Sequence, residues 1–523
     1  MEHPGSASVP EDGAPLALGR GQAAMVSGQR RYVSDLRLPG MLHGSVLHPP
    51  SVGAVLRSVD ASQALRQPGL VVVADDGFVG VVADDPGQAE RLLAAVSVDW
   101  EVSPQPSEAD LEAYLRDHPQ APEGWVGAVD ERVGDVDGAL RGSAVRLAET
   151  YSTAYVAHVP AETRCALAEW RDGRLTVWTG SQRPFAVRAE LARALSVDEP
   201  CVRVVVGPTG AAFGGKHDAT VALEAAHLAR AAGRPVRVKW DRAAETGAGY
   251  LRPAALIDIR AGLSKAGRLA AWSQVTYNAG PSAIESPYAS GAEAVRYQPT
   301  AAPLRQGAYR ALAATANTFA RESAVDELAR RSGQDPLAFR LDHLADERLA
   351  AVLRAAAERA GWSASGSPEG RSSGHGLGLA CGFEKGGRVA TVAEVRAGPG
   401  QPLELVRLVT AFECGAIVSP DRLRAQVEGA TVQALGPALF EAVHFSAGRI
   451  ENGRLADYRV PRFTDVPPIE VLLMDRPALP SAGAGETPLT AVAPAIANAI
   501  AAACGLRLRS LPLLPEGIVP PAS

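Results

Sequence analysis

Residues 480–488 read Pro-Ser-Ala-Gly-Ala-Gly-Glu-Thr-Pro, and an alanine-rich run of helical length follows from Ala491 to Cys504. Gly483 and Gly485 allow the backbone to turn or to pass close to another molecule, because neither carries a Cβ atom. The sequence therefore predicts a small-residue loop that presents Glu486 to a ligand just before a helix. The alternative is an ordinary loop in which Glu486 is a surface charge favoured by the helix dipole.

The chain as a whole has a globular composition, and its sequence contains both helix-like and strand-like patterns. It has 523 residues, of which 46% are hydrophobic and 21% are charged, and this length predicts several folding units. Helical and strand-like patterns are mixed without strict alternation, which predicts an α+β fold. The net charge of −6 argues against nucleic acid as a partner.

Cysteine content and hydrophobicity bear on the compartment. The five cysteines, an odd number, are scattered without a Cys-x-x-Cys pair, so neither a metal cluster nor an iron–sulfur site is predicted. The N-terminus lacks the apolar core of a signal peptide, and we identify no apolar run that could span a bilayer. We expect a cytoplasmic protein without membrane insertion.

Composition and pattern divide the chain into five segments. We predict a disordered tail over 1–15, a compact α/β unit over 16–102, a linker over 103–145, and a larger region in two parts, 146–370 and 371–523. The linker is rich in Asp, Glu, Gly and Pro. Strands are expected, among others, at 31–33 and 201–206, and helices at 315–333 and 420–440.

The loop from Gly210 to Lys216 matches most of a phosphate-binding P-loop between a strand and a helix. The match fails at His217, where Ser or Thr would hold magnesium. The nucleotide interpretation is therefore weak, and the glycines instead indicate a close backbone approach to some ligand, with an anion favoured at the helix N-terminus.

Three further loops carry polar residues at the ends of predicted elements. Gln182 closes a strand, Arg310 precedes the long helix, and Glu413 ends another strand. Taken singly, each fits an ordinary loop residue as well as a ligand contact.

Taken together and in order, these motifs resemble one family over nearly the whole chain. The chain resembles the molybdopterin-binding large subunits of the xanthine oxidase family of molybdenum hydroxylases, in particular the isoquinoline 1-oxidoreductase beta-subunit type. In that family the segment resembling residues 32–100 is the N-terminal "hammerhead" domain. The segments that carry the resemblance are 32–44, 155–162, 180–182, 213–216, 307–310, 322–329, 335–340, 426–429, 483–486 and 493–500.

The resemblance implies a role for each matching residue. Glu486 would be the general base beside molybdenum, and Gln182 would contact the metal's oxygen ligand or the pterin. The other residues assigned to the cofactor are Phe213, Gly214, Gly215, Arg310, Gln426, Gly483 and Gly485. The pterin itself would ligate molybdenum, so no protein ligand to the metal is expected, and we expect the cytosine dinucleotide form of the cofactor.

The resemblance also implies a reaction and partners. The expected reaction is oxidation of an N-heteroaromatic or an aldehyde with water as the oxygen source. Electrons would leave through a small [2Fe-2S] subunit, and a flavin or cytochrome subunit is a further expected partner.

The sequence departs from the family pattern in ways that leave a second hypothesis open. Ala211 and Ala212 replace the usual Gly-Gly, and the chain is short for a large subunit. His217 and Ala311 differ from the residues of purine oxidases and carbon monoxide dehydrogenases, which disfavours both substrates. The alternative is a non-catalytic paralogue that acts as a binding or assembly subunit.

Overall fold

The computed structural model describes residues 20–73, 77–121, 127–362 and 374–520, so the predicted tail over 1–15 lies outside the described residues. The described residues form helices mixed with three larger sheets and two two-stranded sheets, in agreement with the predicted mixture of helix and strand. The helices are Arg20–Val26, Pro86–Ala94, Leu111–Asp117, Val136–Gly142, Pro184–Ala194, Thr220–Ala232, Arg242–Gly247, Ala314–Arg331, Pro336–His343, Glu347–Ala360, Pro420–Leu439 and Val492–Cys504.

The first sheet has seven strands and collects residues from two distant parts of the sequence. Helix Thr220–Ala232 packs on it, and glycines at 44 and 80 let Leu228 approach the sheet closely. In spatial order its strands are Val202–Val205, Arg174–Thr179, Cys165–Arg171, Val236–Lys239, Leu42–Leu47, Val79–Ala83 and Leu70–Val73.

This sheet bears on the sequence-based division of the chain. Leu42–Leu47 pairs in parallel with Val236–Lys239, so hydrogen bonds join strands from both sides of residue 102. The predicted limits stay a prediction, but the limit at 102 does not coincide with an edge of this sheet. The predicted strand at 31–33 is wrong, because Val33–Asp35 forms a 3₁₀ turn in which the Asp35 carboxylate accepts from the Tyr32 backbone N–H.

The second sheet has six strands, and the long helix Ala314–Arg331 packs against it. Part of the predicted linker belongs to it, since a strand at 129–133 pairs with 293–297. In spatial order its strands are Ser510–Leu511, Val145–Thr153, Ala255–Leu263, Leu269–Tyr277, Ala292–Gln298 and Val129–Val133.

The third sheet carries the loop that ends in Glu486. Its strands, in spatial order, are His375–Glu384, Gly387–Arg396, Glu404–Glu413 and Ile469–Met474. Two-stranded pairs complete the β-structure: Val55–Asp60 with Ser97–Glu101, and Phe445–Ser446 with Arg449–Ile450.

Helix Val492–Cys504 lies in the core against the third sheet. A Cβ atom at Gly378 would overlap the backbone of Ala499, so glycine in the strand permits this close packing. The window Thr487–Cys504 is long and apolar enough to cross a membrane, with a mean hydropathy of 1.4, which corrects the expectation that no such run exists. However, 78% of that window is buried inside the protein, as in a core helix.

Candidate active site

The loop that presents Glu486 is fastened at both ends. The Ala482 backbone N–H donates to the Cys414 carbonyl at 2.7 Å, and the Thr487 hydroxyl donates to the Glu384 carbonyl at 2.6 Å. Between these points Gly483 has a φ of 71°, a backbone conformation that side chains disfavour. A Cβ atom at Gly483 or Gly485 would meet no described protein atom within 4 Å, so these glycines are not required by packing.

Glu413 supports this loop from the neighbouring strand rather than contributing to its open face. Its buried carboxylate accepts from Arg348 Nε at 2.5 Å and from the Gly415 backbone N–H at 2.5 Å. These contacts lower the pKa of Glu413 although burial alone would raise it. The residue therefore holds the turn on which the Glu486 loop rests.

Arg310 joins three segments at the same place. Its Nε donates to the Gly485 carbonyl at 2.7 Å and its Nη1 donates to Gln433 Oε1 at 2.9 Å, while its backbone N–H donates to the Phe213 carbonyl at 2.9 Å. Its Nη2 is buried and has no hydrogen-bond partner within the described parts of the chain. Burial lowers the pKa of this guanidinium, and the charge of Glu486 offsets part of that effect.

Glu486 has a matching unsatisfied atom. Its Oε2 is buried, and no described residue donates a hydrogen bond to it. Glu384 is tied to the same loop through the Thr487 hydroxyl, which donates to its carbonyl. Burial raises the pKa of the Glu384 carboxyl, Lys385 lowers it, and the charge of Glu486 raises it further. A buried donor and a buried acceptor thus remain unpaired on neighbouring residues, where a polar ligand could satisfy both.

The loop from Ala211 to Gly215 faces Arg310 and is under local backbone strain. Ala211 and Phe213 have φ values of 70° and 53°, and such strain in residues other than glycine concentrates at functional sites. A Cβ atom at Gly214 would lie 2.6 Å from the Ala308 carbonyl oxygen, and one at Gly215 would lie 2.8 Å from the His158 ring. These two glycines are therefore required by packing within the protein.

His158 and Tyr250 brace this loop from behind. His158 Nε2 contacts the Ala308 carbonyl at 2.7 Å, and burial lowers the pKa of His158 to about 4, so the ring is neutral at physiological pH and donates from Nε2. The Tyr250 hydroxyl donates to the Gly214 carbonyl and accepts from the His217 backbone N–H.

Gln182 lies beside the same loop and is exposed in the bend between strand Arg174–Thr179 and helix Pro184–Ala194. Its backbone N–H donates to the Lys216 carbonyl at 2.9 Å, and its side-chain Oε1 accepts from the Lys216 backbone N–H at 3.3 Å. The Lys216 side chain is buried and donates to the Glu162 carbonyl at 2.8 Å. Lys216 therefore cannot serve as the phosphate-binding lysine of a P-loop, because its side chain is bound within the protein.

Gln426 and Gln433 lie seven residues apart on helix Pro420–Leu439, hence on one face. Gln426 is exposed, whereas Gln433 accepts from Arg310 and donates to the Tyr309 hydroxyl at 3.2 Å. Sequence reasoning assigned Gln426 and missed Gln433. The seven-residue spacing from Gln426 is the signal that could have found it.

A cavity of about 630 Å³ adjoins the strained loop. Its wall includes Tyr250 and Ala308, which both contact Gly214. Other residues of the wall are His217, Asp218, Asn278 and Gln306. Its volume lies in the range typical of small-molecule sites.

Comparisons with known proteins assign this architecture. Two models of the molybdopterin cofactor-binding domain match residues 118–344 and 287–467. One of the subunits of nicotinate dehydrogenase from Pseudomonas putida is 32% identical over 94% of this chain and 45% of its own length. The beta chain of isoquinoline 1-oxidoreductase from Brevundimonas diminuta is 28% identical over 94% of this chain and 66% of its own length.

The chain belongs to the molybdopterin-binding large subunits of the xanthine oxidase family. The fold agrees with that of quinoline 2-oxidoreductase from Pseudomonas putida 86, with a TM-score of 0.82 at 18% identity over 96% of this chain and 97% of that one. This molybdopterin-binding chain spans 45% and 66% of the lengths of the two curated relatives named above.

The residues present fit a molybdopterin cofactor. An anionic, hydrogen-bonding ligand would satisfy Arg310 Nη2. No atom of the described residues lies within 4 Å of the place where a Cβ would stand at Gly483 or Gly485. Within the described residues, no group of three or more His, Cys, Asp or Glu could hold a metal ion. The structure thus brings together Arg310, Glu486, Gly485, Phe213 and Gly214, with Gln182 at the far side of the Phe213 loop.

Proposed function

We propose that this chain is the catalytic molybdenum-cofactor subunit of a hydroxylase that oxidises an N-heteroaromatic or an aldehyde with water as the oxygen source. The observation that carries the proposal is the unpaired, buried pair formed by Arg310 Nη2 and Glu486 Oε2. Leaving such groups unpaired costs stability, and a site that retains both is suited to a ligand that the chain itself does not supply.

Glu486 is the proposed general base. Its side chain is only half-buried, so it can exchange protons with solvent, and one carboxylate oxygen has no described donor. A positioned carboxylate that accepts a proton in the transition state typically contributes about a hundred- to ten-thousand-fold in rate. The fixed loop ends at Ala482 and Thr487 hold the carboxylate in place for this role.

Arg310 and the glycine backbone are the proposed cofactor contacts. Arg310 is fixed by Gly485 and Gln433 with Nη2 left to donate. Phe213, Gly214 and Gly215 are proposed as further cofactor contacts from the family resemblance. Gln182 offers its amide nitrogen, and the exposed Gln426 lies further along the helix. When bound, the molybdenum cofactor would supply the redox-active metal; we propose its cytosine dinucleotide form.

The alternative role as a non-catalytic paralogue receives less support. Relatives matched over most of this chain are named as subunits of dehydrogenases and oxidoreductases, and the proposed base and its arginine neighbour are both retained. The shared sheet of the N-terminal strands is the proposed equivalent of the hammerhead region.

Partners are part of the proposal. All five cysteines lie in the described residues and are free and dispersed, so the chain offers no thiolate cluster for an electron relay. We propose that a small [2Fe-2S] subunit accepts the electrons and passes them to a flavin or cytochrome subunit, in the cytoplasm.

The test is to express the chain with and without a neighbouring small protein that carries two four-cysteine motifs. We expect molybdenum and pterin close to one per chain in the complex, and substrate-dependent dye reduction by the complex only. The matched control is the complex with Glu486→Gln, which should bind the cofactor without turnover. A complex free of molybdenum and pterin under conditions that load a known relative would contradict the proposal.

A further inference from the structure

Two arginines near the candidate active site differ in the charge of their hydrogen-bond acceptors. Arg348 donates from Nε and Nη2 to the two oxygens of the Glu413 carboxylate, at 2.5 and 3.0 Å. Arg310 instead donates to two neutral acceptors, the Gly485 carbonyl at 2.7 Å and the Gln433 amide oxygen at 2.9 Å. The carboxylate compensates the charge of Arg348, whereas neither side-chain acceptor compensates the charge of Arg310.

The position of Arg310 makes this uncompensated charge costly. A guanidinium stays protonated in proteins, and burying a charge without an opposite one is unfavourable. Burial lowers the pKa of Arg310, and the neighbouring Tyr309 and Glu486 raise it in part. The Arg310 Nη2 atom is buried without a partner among the described residues. An anionic ligand would supply both an acceptor for Nη2 and a compensating charge.

Gln433 fixes the direction of this donor. A guanidinium offers only donors, so the amide oxygen of Gln433 must face Arg310. The amide nitrogen then faces the Tyr309 hydroxyl, to which it donates at 3.2 Å. Tyr309 is 3% exposed, and its ring centroid lies 5.2 Å from that of His158, so this hydroxyl is itself held in place. The amide therefore has one orientation that satisfies both of its neighbours.

An amide at position 433 also has an electrostatic consequence. A carboxylate in the same place could accept from Arg310, and it could accept from the Tyr309 hydroxyl, because a hydroxyl is both a donor and an acceptor. The hydrogen-bonding pattern therefore permits glutamate as well as glutamine. The two differ in charge, since a glutamate would neutralise Arg310 and weaken its attraction for an anion.

We propose that Gln433 is a positioning residue, which orients Arg310 toward an anionic group of the bound cofactor without neutralising its charge. The inference rests on the proposed function and assigns Gln433 no direct contact with the cofactor. Gln433 acts through Arg310, whose Nη2 makes the contact. A hydrogen bond that involves a charged group corresponds to about a 10- to 100-fold gain in affinity, and this gain depends on Gln433 being both an acceptor and neutral.

The test is Gln433→Glu in the complex with the small cysteine-motif protein, and it has two readouts that do not depend on turnover. Pterin retained per chain after dialysis should fall to about a tenth of the wild-type value or less. The free energy of unfolding of the cofactor-free chain in urea should be at least that of the wild type, because Arg310 gains a carboxylate partner. Gln433→Leu removes the acceptor and should lower both pterin retention and stability.

Gln401→Glu is the matched control, because it makes the same change at an exposed glutamine outside the site; it should keep both wild-type values. A Gln433→Glu complex that retains more than about half of the wild-type pterin would overturn the inference, as would full retention by a folded Gln433→Leu complex. Loss of stability together with pterin in Gln433→Glu, including failure to fold, would indicate a purely structural role and also overturn it.

These outcomes are distinct from failure of the proposed function. A wild-type complex that retains no pterin, under conditions that load a known relative, would contradict the proposed function itself. A wild-type complex that retains pterin, beside a Gln433→Glu complex that retains it equally well, would contradict only the role of Gln433.

Discussion

The two glycine-rich loops of the site differ in how closely the protein packs against their glycines. In the loop at 211–215, added methyl groups at Gly214 and Gly215 would collide with Ala308 and His158. In the loop at 483–486, added methyl groups at Gly483 and Gly485 would meet no described protein atom within 4 Å. The first pair of glycines is explained by the protein's own packing, and the second pair is not.

This difference separates glycines that are required by packing from glycines that are not, which a sequence motif cannot do. The packed loop carries the strain and the buried brace of His158 and Tyr250, whereas the open loop carries the proposed base. Arg310 connects them through the Phe213 and Gly485 carbonyls. Variants of the packed loop should change stability, and variants of the open loop should change cofactor content or rate.

The largest effect is expected at the open loop. Glu486→Gln keeps the side-chain shape but removes the base, so turnover at matched molybdenum content should fall about a hundred- to ten-thousand-fold or more. The measurement is dye reduction by the reconstituted complex, normalised to molybdenum per chain.

The control for this change is Glu451→Gln, at an exposed glutamate outside the site, which should retain the wild-type rate. A Glu486→Gln complex that keeps more than about a tenth of the rate would place Glu486 outside the range of a general base.

The second-largest effect is expected when matched glycine-to-alanine changes are made in the two loops. Gly214→Ala should lower the free energy of unfolding by about 2–4 kcal/mol, because its φ of 100° disfavours a side chain and the methyl group meets the Ala308 carbonyl. Gly485→Ala should leave that free energy within about 0.5 kcal/mol and lower the cofactor content instead. Urea unfolding of the cofactor-free chain, together with pterin analysis, measures both; equal destabilisation by the two changes would remove the distinction.

His158, which packs behind the 211–215 loop, should make the free energy of unfolding depend on pH. The pKa of His158 is lowered to about 4 by burial, so its contribution to stability is present above pH 6.5 and is lost as the pH falls toward 4. The loss is at most about 3 kcal/mol. His158→Gln can still donate to the Ala308 carbonyl but does not titrate, and its unfolding free energy should fall less steeply over this interval. A slope identical to that of the wild type would show that His158 is not the group responsible.

Local patterns predicted the helices and the site loops because both depend on neighbouring residues. Helix 420–440 was expected and Pro420–Leu439 is found, and the glycine loop was placed correctly before helix Val492–Cys504. The seven-stranded sheet was not predicted, since its parallel pairing of 42–44 with 236–238 joins residues nearly two hundred positions apart. Gln433 was missed for a related reason: its role depends on its contacts with Arg310 and Tyr309 across the fold.

The smallest effect on stability is expected at Ala211 and Ala212, which stand where the family usually has a Gly-Gly pair. Ala211 has a φ of 70°, whereas Ala212 is not among the residues with positive φ. Ala211→Gly should therefore raise the free energy of unfolding by about 1 kcal/mol, because it removes the cost of a left-handed side chain. Ala212→Gly should lower this free energy by about 0.5–1 kcal/mol, because glycine increases the conformational entropy of the unfolded chain and relieves no strain in the folded one. Urea unfolding of the two single variants distinguishes the cases, and changes of the same sign in both would show that backbone strain at Ala211 does not govern the stability of the packed loop.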